Sequence, residues 1–566
     1  MKVIFTAINS KYIHTALGLR YISEYCKLQG HDVILIEETI NTQLLTILEK
    51  LMSAEAKVFA FSVHIWNKPV VYKLISMLKK LRPQAVIIAG GPEVAFDAAK
   101  IFAEHPAIDY IVQGEGELVV AELLQALQDN TAVPQHVAYM QNGKVNLNGG
   151  VTVIEDLAAL PFPYPDLPQV IAEHKIVYYE CSRGCPFNCS YCLSGISRSV
   201  RRRPLKMVLA DLQRFIEAKT PLVKFVDRTY NLDEEYFLPI MKYLAAADTD
   251  TTFHFEIKAD LITLKVLDFL KKVPQGRFQL EIGIQTTNPP TLKAINRRDN
   301  WEKLAYNVQE ILQAGNMHIH LDLIAGLPYE GIKEYEKSFN DVYALQPQMM
   351  QLGFLKVLPG TQMSRETDSH KLIYMDESPY EILATAYMPY KEMQMLKRLE
   401  NVFEQVYNSG CFANTLRLLT AKEASAFDFY RRLTEWWVKN GHYPQVHNSR
   451  GTAKILYDYI DEHINEETLK TTLIEVLRYD VFMNINGWRP EWLRWNSEAI
   501  FEKVSDFWRN EEAVREYLAD YKFSSWQKIR KYYPIELFCY NPENGNQEEI
   551  YVLRDLNNKK DYRIKI

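Results

Sequence analysis

The stretch from Glu180 to Cys192 reads ECSRGCPFNCSYC and holds four of the seven cysteines in the chain. It directly follows KIVYYE, an apolar run that predicts a β-strand. Three of these cysteines, Cys185, Cys189 and Cys192, are spaced four and three residues apart. This spacing in a loop after a strand predicts that their thiolates bind a metal centre.

Three thiolates in this spacing do not complete a tetrahedral zinc site, which needs a fourth ligand. Zinc ribbons take that ligand from a second Cys or His pair, whereas Cys411 and Cys539 are isolated. An iron–sulfur cluster takes Cys ligands, and three of them leave one iron open for substrate or cofactor. We therefore interpret Cys185, Cys189 and Cys192 as cluster ligands, with a zinc site or unligated thiols as the alternatives.

Strand-like runs alternate with helical patterns across residues 171–368. The runs are KIVYYE, LVKFVDR, FHFEIKA, RFQLEIGIQ, HIHLDLIAGLP and MQLGFLKVLP. Such regular strand–helix units predict a parallel (β/α) barrel, and six of them make a partial barrel that is open on one side.

Residues 1–135 show a similar alternation, with the strand-like runs KVIFTAI, DVILIEE, VFAFSVH, AVIIAGG and DYIVQG. The pattern predicts a Rossmann-like α/β domain with its ligand at the carboxyl ends of the strands. Gly-x-Gly-x-x-Gly is missing after the first run, so we do not expect a dinucleotide.

Two further segments complete the predicted organisation. Residues 136–170 combine Asn142-Gly143, a hairpin signal that predicts a small appendage, with the proline-rich linker ALPFPYPDLP. In residues 369–566 the regular succession of strand-like runs ends and helical patterns prevail. They predict a mostly helical C-terminal domain, which we expect to select the substrate. The predicted fold class is α/β: a Rossmann-like domain, a partial barrel and a mostly helical C-terminal domain.

The composition of the 566 residues limits the kinds of partner that the protein is expected to bind. A formal net charge of −6 provides no overall field for nucleic acid or an anionic membrane. No apolar run approaches the roughly 18 residues of a membrane span, and we expect a cytoplasmic protein. The one basic cluster is RSVRRRP, from Arg198 to Pro204. It could bind phosphate-bearing RNA, but we favour a solvated or ion-paired loop.

The loop Cys185-Pro-Phe-Asn-Cys189-Ser-Tyr-Cys192 resembles the Cys-x-x-x-Cys-x-x-Cys loop of radical S-adenosylmethionine (SAM) enzymes. The resemblance implies a 4Fe–4S cluster whose open iron binds the methionyl group of SAM, with Tyr191 near the adenine. It also implies an external electron donor such as flavodoxin or ferredoxin, and cleavage of SAM to a 5′-deoxyadenosyl radical. Cys181 ends the strand, and we expect it not to be a ligand because a fourth thiolate would occupy the open iron.

The strands FHFEIKA, EIGIQ and HLDLIAGLP resemble those of the oxygen-independent coproporphyrinogen dehydrogenase branch of the same family. The resemblance implies that Glu256, Gln285, Arg297 and Asp322 contact SAM. Arg297 would offer a planar fork to the methionyl carboxylate. Each could instead be an ordinary polar residue of the barrel rim. Many members carry Gly-Gly-Glu after the second strand, whereas this chain has VDRT at 226–229.

NSKYIHTALGLRY, FSVHIWN, IIAGGPE and VQGEGE resemble phrases of the cobalamin-binding subgroup of this family. The resemblance implies that cobalamin lies across the strand ends, with its nucleotide tail in the sheet. The residues expected to contact it are Ser62, Gly90, Gly91, Gly114 and Gly116. His14 lacks the Asp-x-His-x-x-Gly context of cobalamin mutases, so we expect it to line the pocket without binding cobalt. A nucleotide-binding or ligand-free domain is the alternative.

The resemblance to this subgroup implies methyl transfer to an unactivated carbon. One SAM would methylate cob(I)alamin, and a second would yield the radical that abstracts hydrogen from the substrate. One alternative is a cobalamin-dependent rearrangement or redox reaction without methyl transfer. Another is an RNA- or protein-binding module with a structural cluster, although such a cluster should prefer a fourth cysteine. The sequence identifies neither the substrate nor the oligomeric state.

Overall fold

The computed structural model describes residues 1–196, 198–496, 498–519, 521–523, 525–558 and 560–566. They divide into two compact units. The first unit comprises Met1–Asp341 and Leu352–Met393, and the second comprises Val342–Gln351 and Gln394–Ile566. The boundaries of the four domains drawn from the sequence stay a prediction.

The N-terminal part of the first unit is a covered sheet. Its strands are β1 (Lys2–Asn9), β2 (Asp32–Thr39), β3 (Val58–Ser62), β4 (Val86–Gly90), β5 (Tyr110–Val112), β6 (Val137–Gln141) and β7 (Lys144–Asn146). Its helices are α1 (Leu17–Leu28), α2 (Leu44–Ser53), α3 (Lys68–Leu81), α4 (Ala98–Glu104) and α5 (Glu117–Asp129). The strand order is β2-β1-β3-β4-β5-β6-β7, and β1 to β5 pair in parallel. The predicted Rossmann-like fold is confirmed.

The core of this sheet lies on both of its faces. In β1, Val3 and Phe5 pack into one apolar cluster, whereas Ile4 and Ile8 pack into another. Alternate side chains of a strand point to opposite faces, so both faces of β1 are buried. Strands that are covered on both faces read as continuous apolar runs rather than alternating ones. This explains why KVIFTAI and AVIIAGG predicted buried strands.

The predicted hairpin at Asn142-Gly143 is present, but it is not an appendage. Asn142 and Gly143 have φ values of 53° and 74°, the positive angles that a tight two-residue hairpin turn requires. The strand that precedes the turn, β6, pairs antiparallel with β5. The hairpin therefore extends the edge of the main sheet, a pairing that short-range sequence signals do not reveal.

The proline-rich linker is a packed connection. Tyr164 is buried, and its hydroxyl donates to Tyr178 O at 2.8 Å and accepts from Tyr178 N at 2.9 Å. Arg20 of α1 donates to Asp166 Oδ1 at 2.7 Å. These bonds hold the end of the linker between the sheet and the first strand of the next layer.

That next layer is a partial barrel. Its strands, with a short pair at the cluster loop, are β8 (Val177–Tyr179), β9 (Ser182–Arg183), β10 (Arg201–Arg202), β11 (Leu222–Phe225), β12 (Thr252–Ile257), β13 (Phe278–Gln285), β14 (His318–Ala325) and β15 (Met349–Phe354). The helices are α6 (Leu167–Ala172), α7 (Leu205–Glu217), α8 (Glu234–Ala246), α9 (Leu264–Leu270), α10 (Pro289–Ala294), α11 (Trp301–Ala314) and α12 (Ile332–Tyr343). The described strands follow the order β8-β11-β12-β13-β14-β15, which confirms the predicted six-unit barrel.

Burial alternates along the central barrel strands. In β13, Leu280 and Ile282 are buried, whereas the alternate residues Glu281, Gly283 and Gln285 are only partly buried. One face of the strand therefore packs against helices, and the other presents polar groups to the barrel interior. The first unit ends with α13 (Thr367–His370), β16 (Ile373–Tyr374) and β17 (Ile382–Ala384).

The second unit is mostly helical, as predicted. Its helices are α14 (Tyr390–Val406), α15 (Ala413–Thr420), α16 (Ala426–Lys439), α17 (Ser449–His463), α18 (Glu467–Asn484), α19 (Phe501–Arg509), α20 (Glu511–Tyr517) and α21 (Trp526–Tyr532). An antiparallel sheet of β18 (Ile535–Phe538), β19 (Ile550–Asp555) and β20 (Lys560–Ile564) follows them. Arg478 of α18 is buried and pairs with the buried Glu536 of β18 at 3.1 Å. In the part of the chain that the structure describes, no helix is both long and apolar enough to cross a membrane.

Candidate active site

A cavity of about 210 Å³ lies at the carboxyl ends of the barrel strands, and we call it the barrel cavity. Every residue predicted to hold the cluster or SAM lines it: Cys185, Cys189, Tyr191, Cys192, Glu256, Gln285, Arg297 and Asp322. They come from the loop after β8, from β12, β13 and β14, and from the segment after α10. The fold therefore brings together residues that the sequence spreads over more than a hundred positions.

The cysteine loop is held by its neighbours. Cys192 N donates to Cys189 O at 3.1 Å, which forms a tight turn between two of the cysteines. Ser190 N donates to Ile295 O at 3.0 Å, and Met363 N donates to Ser190 O at 2.8 Å. Backbone bonds to two distant segments thus fix the loop between the cysteines.

The donor set of this loop fits an iron–sulfur cluster. The thiols of Cys185, Cys189 and Cys192 are free and line one cavity, and thiolates are the usual cluster ligands. Burial raises the pKa of the Cys189 thiol, whereas the charge of Arg297 lowers it. Ligation by iron would favour the thiolate in such a buried place. Cys185 Sγ also lies 3.8 Å from Thr229 Oγ1.

Cys181 has different surroundings. It is fully buried and does not line the barrel cavity, and its N–H donates to Asp227 Oδ2 at 3.0 Å. Burial, reinforced by the Asp227 charge, raises the pKa of the Cys181 thiol well above its usual range. Burial thus favours the protonated thiol, and the role of Cys181 as a bystander stays a prediction.

The VDRT segment stands where many family members carry Gly-Gly-Glu. It combines one buried residue, Asp227, with two residues that line the barrel cavity. Asp227 is buried and accepts from Cys181 N and from Ser182 Oγ, the latter at 2.5 Å. Burial raises the pKa of Asp227 to about 7. Asp227 thus anchors the start of the cysteine loop, whereas Arg228 and Thr229 line the barrel cavity.

A bulge in β13 presents Gln285 to the cavity. The register with β14 shifts between Gly283 and Gln285, and Gln285 has a φ of 70°. Left-handed backbone is unusual for a residue with a side chain and is often found at functional sites. A Cβ on Gly283 would lie 2.3 Å from Gln285 Nε2, so any larger residue at 283 would require the Gln285 side chain to move.

Arg297 is fixed next to this bulge. Its guanidinium donates to Gly283 O, and its Nε donates to Asp299 Oδ2 at 2.5 Å. Burial by itself lowers the pKa of Arg297, but Tyr191 and Asp299 raise this pKa above its usual range. The guanidinium is therefore a permanent, oriented cation in the wall of the cavity, as a carboxylate-binding residue should be.

The opposite wall of the cavity is acidic. Burial, together with the charges of Glu281 and Asp322 and against the opposing charge of Arg228, raises the pKa of Glu256 to about 7. Burial also raises the pKa of Asp322. Crowded carboxylates favour a cationic guest, and SAM carries an ammonium and a sulfonium.

A larger cavity of about 740 Å³, which we call the sheet cavity, lies at the strand ends of the N-terminal sheet. All residues predicted to contact cobalamin line it: Ser62, Gly90, Gly91, Gly114 and Gly116. His14 lines it as well, with Nδ1 2.7 Å from Tyr178 Oη. The barrel side contributes a part of the wall: Tyr178, Glu180, Arg183, Val226 and Arg228.

The glycines of the sheet cavity serve different purposes. Gly91 and Gly114 have φ values of 107° and 101°, and a Cβ on them would lie 2.6 Å from Val63 O and 2.3 Å from Thr152 O. Backbone packing alone therefore requires glycine at these two positions. The sequence had led us to expect glycine there for another reason, the close approach of a ligand. At Gly90 a Cβ would meet nothing closer than Val112 at 4.0 Å, which leaves open space for a ligand.

His64 is a residue of the sheet cavity that sequence reasoning missed. Its Nε2 lies 2.7 Å from Ser62 Oγ, and its ring stacks on Trp66 with centroids 4.4 Å apart. Burial lowers the pKa of His64 to about 4, so the imidazole is neutral. The phrase FSVHIWN contained the signal, but a lone histidine after a strand carries no distinctive spacing.

The comparisons with known proteins agree with the two cavities. Residues 3–124 match the B12-binding domain, and residues 179–342 match the radical SAM superfamily. The chain is a cobalamin-binding radical SAM enzyme. Residues 368–554 match a family described only as a protein of unknown function, DUF4080. The predicted cofactors, a 4Fe–4S cluster, SAM and cobalamin, are those of these domains, whereas the contact residues stay predictions.

Three relatives illustrate the match. An uncharacterized methyltransferase of Pyrococcus horikoshii, PH0819, is 25% identical over 61% of this chain and 77% of its own. The cobalamin-dependent radical SAM methyltransferase TokK of Streptomyces tokunonensis is 25% identical over 50% of this chain, which spans only 44% of TokK. The radical SAM methyltransferase TsrM of Kitasatospora setae, solved with cobalamin and a 4Fe–4S cluster, has a TM-score of 0.61 at 13% identity. That match covers 78% of this chain and 99% of TsrM, and it shows a shared fold.

The basic cluster of this radical SAM enzyme is an ion-paired segment. Arg201 pairs with Glu115 at 2.7 Å, and Arg202 pairs with Asp233 at 3.2 Å. Arg203 is buried and donates to the Tyr21 hydroxyl at 2.9 Å. These arginines are therefore occupied by partners within the protein. This agrees with the favoured interpretation of RSVRRRP as a solvated or ion-paired loop.

Replacement of Gly90 tests the B12-binding site. Gly90→Val should keep the fold, because nothing lies closer than 4.0 Å to the new Cβ, but its methyl groups would fill the open strand end. We expect cobalamin to bind about tenfold or more weakly, and Gly90→Ala to bind in between, because overpacking costs about 1–3 kcal/mol. Spectrophotometric titration with hydroxocobalamin measures both. Unchanged affinity of Gly90→Val would place the corrin elsewhere.

Proposed function

We propose that this enzyme is a cobalamin-dependent radical SAM methyltransferase that acts on an unactivated carbon. The observation that carries the proposal is the position of Arg228, which lines both the barrel cavity and the sheet cavity. A substrate near this residue could meet both cofactors. When bound, the cluster would supply the electron that cleaves SAM, and the corrin would carry the methyl group.

The residues of the chain bind the cofactors and exclude water from them. Cys185, Cys189 and Cys192 hold the cluster, and Arg297 orients the methionyl carboxylate. Arg183 donates to Glu117 of the B12-binding domain at 2.5 Å and to Glu180 of the barrel at 2.6 Å. Paired charges at this junction keep the two domains together, which protects radical chemistry from solvent.

The names of the relatives support methyl transfer, because PH0819 and TokK are both called methyltransferases. The reaction also needs a substrate and a low-potential reductant, and we propose flavodoxin or ferredoxin of a reducing cytoplasm as the donor. RNA is a less favoured substrate, because Arg201, Arg202 and Arg203 are already paired. A radical redox or rearrangement reaction without methyl transfer is the competing activity.

Product analysis tests this function. Anaerobically reconstituted enzyme, with hydroxocobalamin bound, is incubated with SAM and dithionite, and its products are quantified by mass spectrometry. Methylation of the bound cob(I)alamin should release about one S-adenosylhomocysteine per enzyme as well as 5′-deoxyadenosine, whereas an enzyme that transfers no methyl group releases only the latter. Failure to form 5′-deoxyadenosine with the cluster intact would contradict radical chemistry altogether.

Arg228 is the residue whose loss should separate cofactor binding from turnover. It is exposed, and its guanidinium has no hydrogen bond or ion pair to another described residue. Arg228→Met should therefore keep iron and cobalamin. We expect S-adenosylhomocysteine formation to fall about tenfold or more, the cost of one charge-assisted hydrogen bond.

Arg214→Met is the matched control, because Arg214 is 57% exposed and lines neither cavity. The rates of S-adenosylhomocysteine formation by both variants are compared by liquid chromatography and mass spectrometry. If Arg228→Met matches Arg214→Met, Arg228 does not position a reactant.

A further inference from the structure

A compact group of imidazoles and carboxylates lies inside the barrel next to the predicted SAM site. Glu281 of β13 and His320 and Asp322 of β14 each place one ligand atom within 4.8 Å of the others. His254 of β12 adds a fourth side chain, because its Nε2 lies 3.2 Å from Glu281 Oε2. We propose that Glu281, His320 and Asp322 bind one first-row divalent metal ion and that His254 orients Glu281 beside it.

The register of the barrel strands creates this group. Glu281 pairs with His320 across β13 and β14, and Asp322 follows two residues later on the same face of β14. His254 precedes Glu256 by two residues, and Glu256 pairs with Glu281 across β12 and β13. Strands β13 and β14 thus direct the three proposed ligands to one point of the barrel interior, and β12 places His254 next to Glu281.

The hydrogen bonding of the group is incomplete. His320 Nε2 and Asp322 Oδ1 lie 3.0 Å apart, but both atoms are buried without a hydrogen bond of acceptable geometry. Nδ1 of His254, a side chain that is only 8% exposed, has no hydrogen-bond partner either. Buried polar atoms are rarely left unpaired. Since metal–ligand bonds are about 2.0–2.2 Å long, neighbouring ligands of one ion lie about 3 Å apart.

The local charge also favours a cation. Glu256, Glu281 and Asp322 place three carboxylates together, and the Glu281 charge raises the pKa of Asp322 in addition to burial. The hydrogen bond with His254 is the main cause that lowers the pKa of Glu281, and the charge of Lys224 on β11 lowers it further. A bound dication would neutralise the remaining repulsion and would join three strands of a barrel that does not close.

One imidazole with two carboxylates suits Zn²⁺, Mn²⁺ or Fe²⁺. Glu281 and Asp322 also line the barrel cavity, so a free coordination position of the ion would face the SAM site. Asp322 would give Oδ1 to the ion and keep Oδ2 for its predicted contact with SAM. This inference is independent of methyl transfer, because it concerns side chains that are present whatever the reaction is.

Metal analysis of the holoenzyme tests the site with Zn²⁺ as the probe. Enzyme carrying its cluster and cobalamin is equilibrated with zinc and desalted, and zinc, iron and cobalt are measured by mass spectrometry. We expect about one zinc per chain in the wild type, and about tenfold or more weaker binding in His254→Gln and His320→Gln. His318→Gln is the matched control, because His318 is exposed at the start of β14 and outside the group.

X-ray absorption at the zinc edge distinguishes this site from the cysteine loop. Nitrogen and oxygen ligands with unchanged iron content support the inference, whereas sulfur ligands would place zinc on the cysteines and overturn it. A wild type that retains no zinc, or a His320→Gln variant that retains as much as the wild type, would also overturn it. If the histidine variants lose iron and cobalt because they misfold, the zinc-edge spectrum of the wild type alone decides whether zinc has nitrogen and oxygen ligands or sulfur ligands.

Discussion

Cys185→Ala, Cys189→Ala and Cys192→Ala should each lose the intact cluster and all cleavage of SAM. The three thiols line one cavity, and the described cysteines offer no other thiol there to replace a missing ligand. Iron content, the absorbance of the reconstituted cluster and 5′-deoxyadenosine formation measure the loss. We expect no detectable product from any of the three variants.

Cys181→Ala is the matched control for this series, because it removes a nearby cysteine of the same stretch. Its side chain is fully buried and outside the barrel cavity, so the variant should lose some stability but keep cluster and cleavage. Loss of iron from Cys181→Ala at normal folding would show that the ligand assignment is wrong.

Arg297→Lys should weaken SAM binding about tenfold to a hundredfold. The change keeps the positive charge, but it removes the planar fork that donates to Gly283 O and Asp299 and that we expect to bind the methionyl carboxylate. Hydrogen bonds to charged groups contribute about 1.5–3 kcal/mol each, which corresponds to this loss in affinity. Equilibrium dialysis with labelled SAM gives the dissociation constant.

Arg298→Lys is the control for Arg297→Lys, since Arg298 also lines the barrel cavity but is exposed. It should bind SAM like the wild type. Equal binding by both variants would mean that another group holds the carboxylate, and Thr229 and Arg228 of the VDRT segment would be the next residues to replace.

The strands could be predicted because their signal is local. KVIFTAI and AVIIAGG are continuous apolar runs, and a strand covered on both faces requires such runs. The spacing of Cys185, Cys189 and Cys192 is equally local, since it depends on one loop. Glu256 and Asp322 were placed in the site by the resemblance of their strands to those of a known branch of the family, and the carboxyl ends of parallel strands do meet at one edge.

The sequence by itself therefore determined the order of strands and helices, the three-cysteine loop and the residues that meet at the barrel's edge. Only the tertiary structure decided that Gly91 and Gly114 serve backbone packing, that Arg203 is buried, that Arg228 lines both cavities and that His254 contacts Glu281. Each of these features depends on contacts between segments that are distant in sequence. Local periodicity and spacing carry no record of such contacts, which arise when the sheet and the barrel pack together.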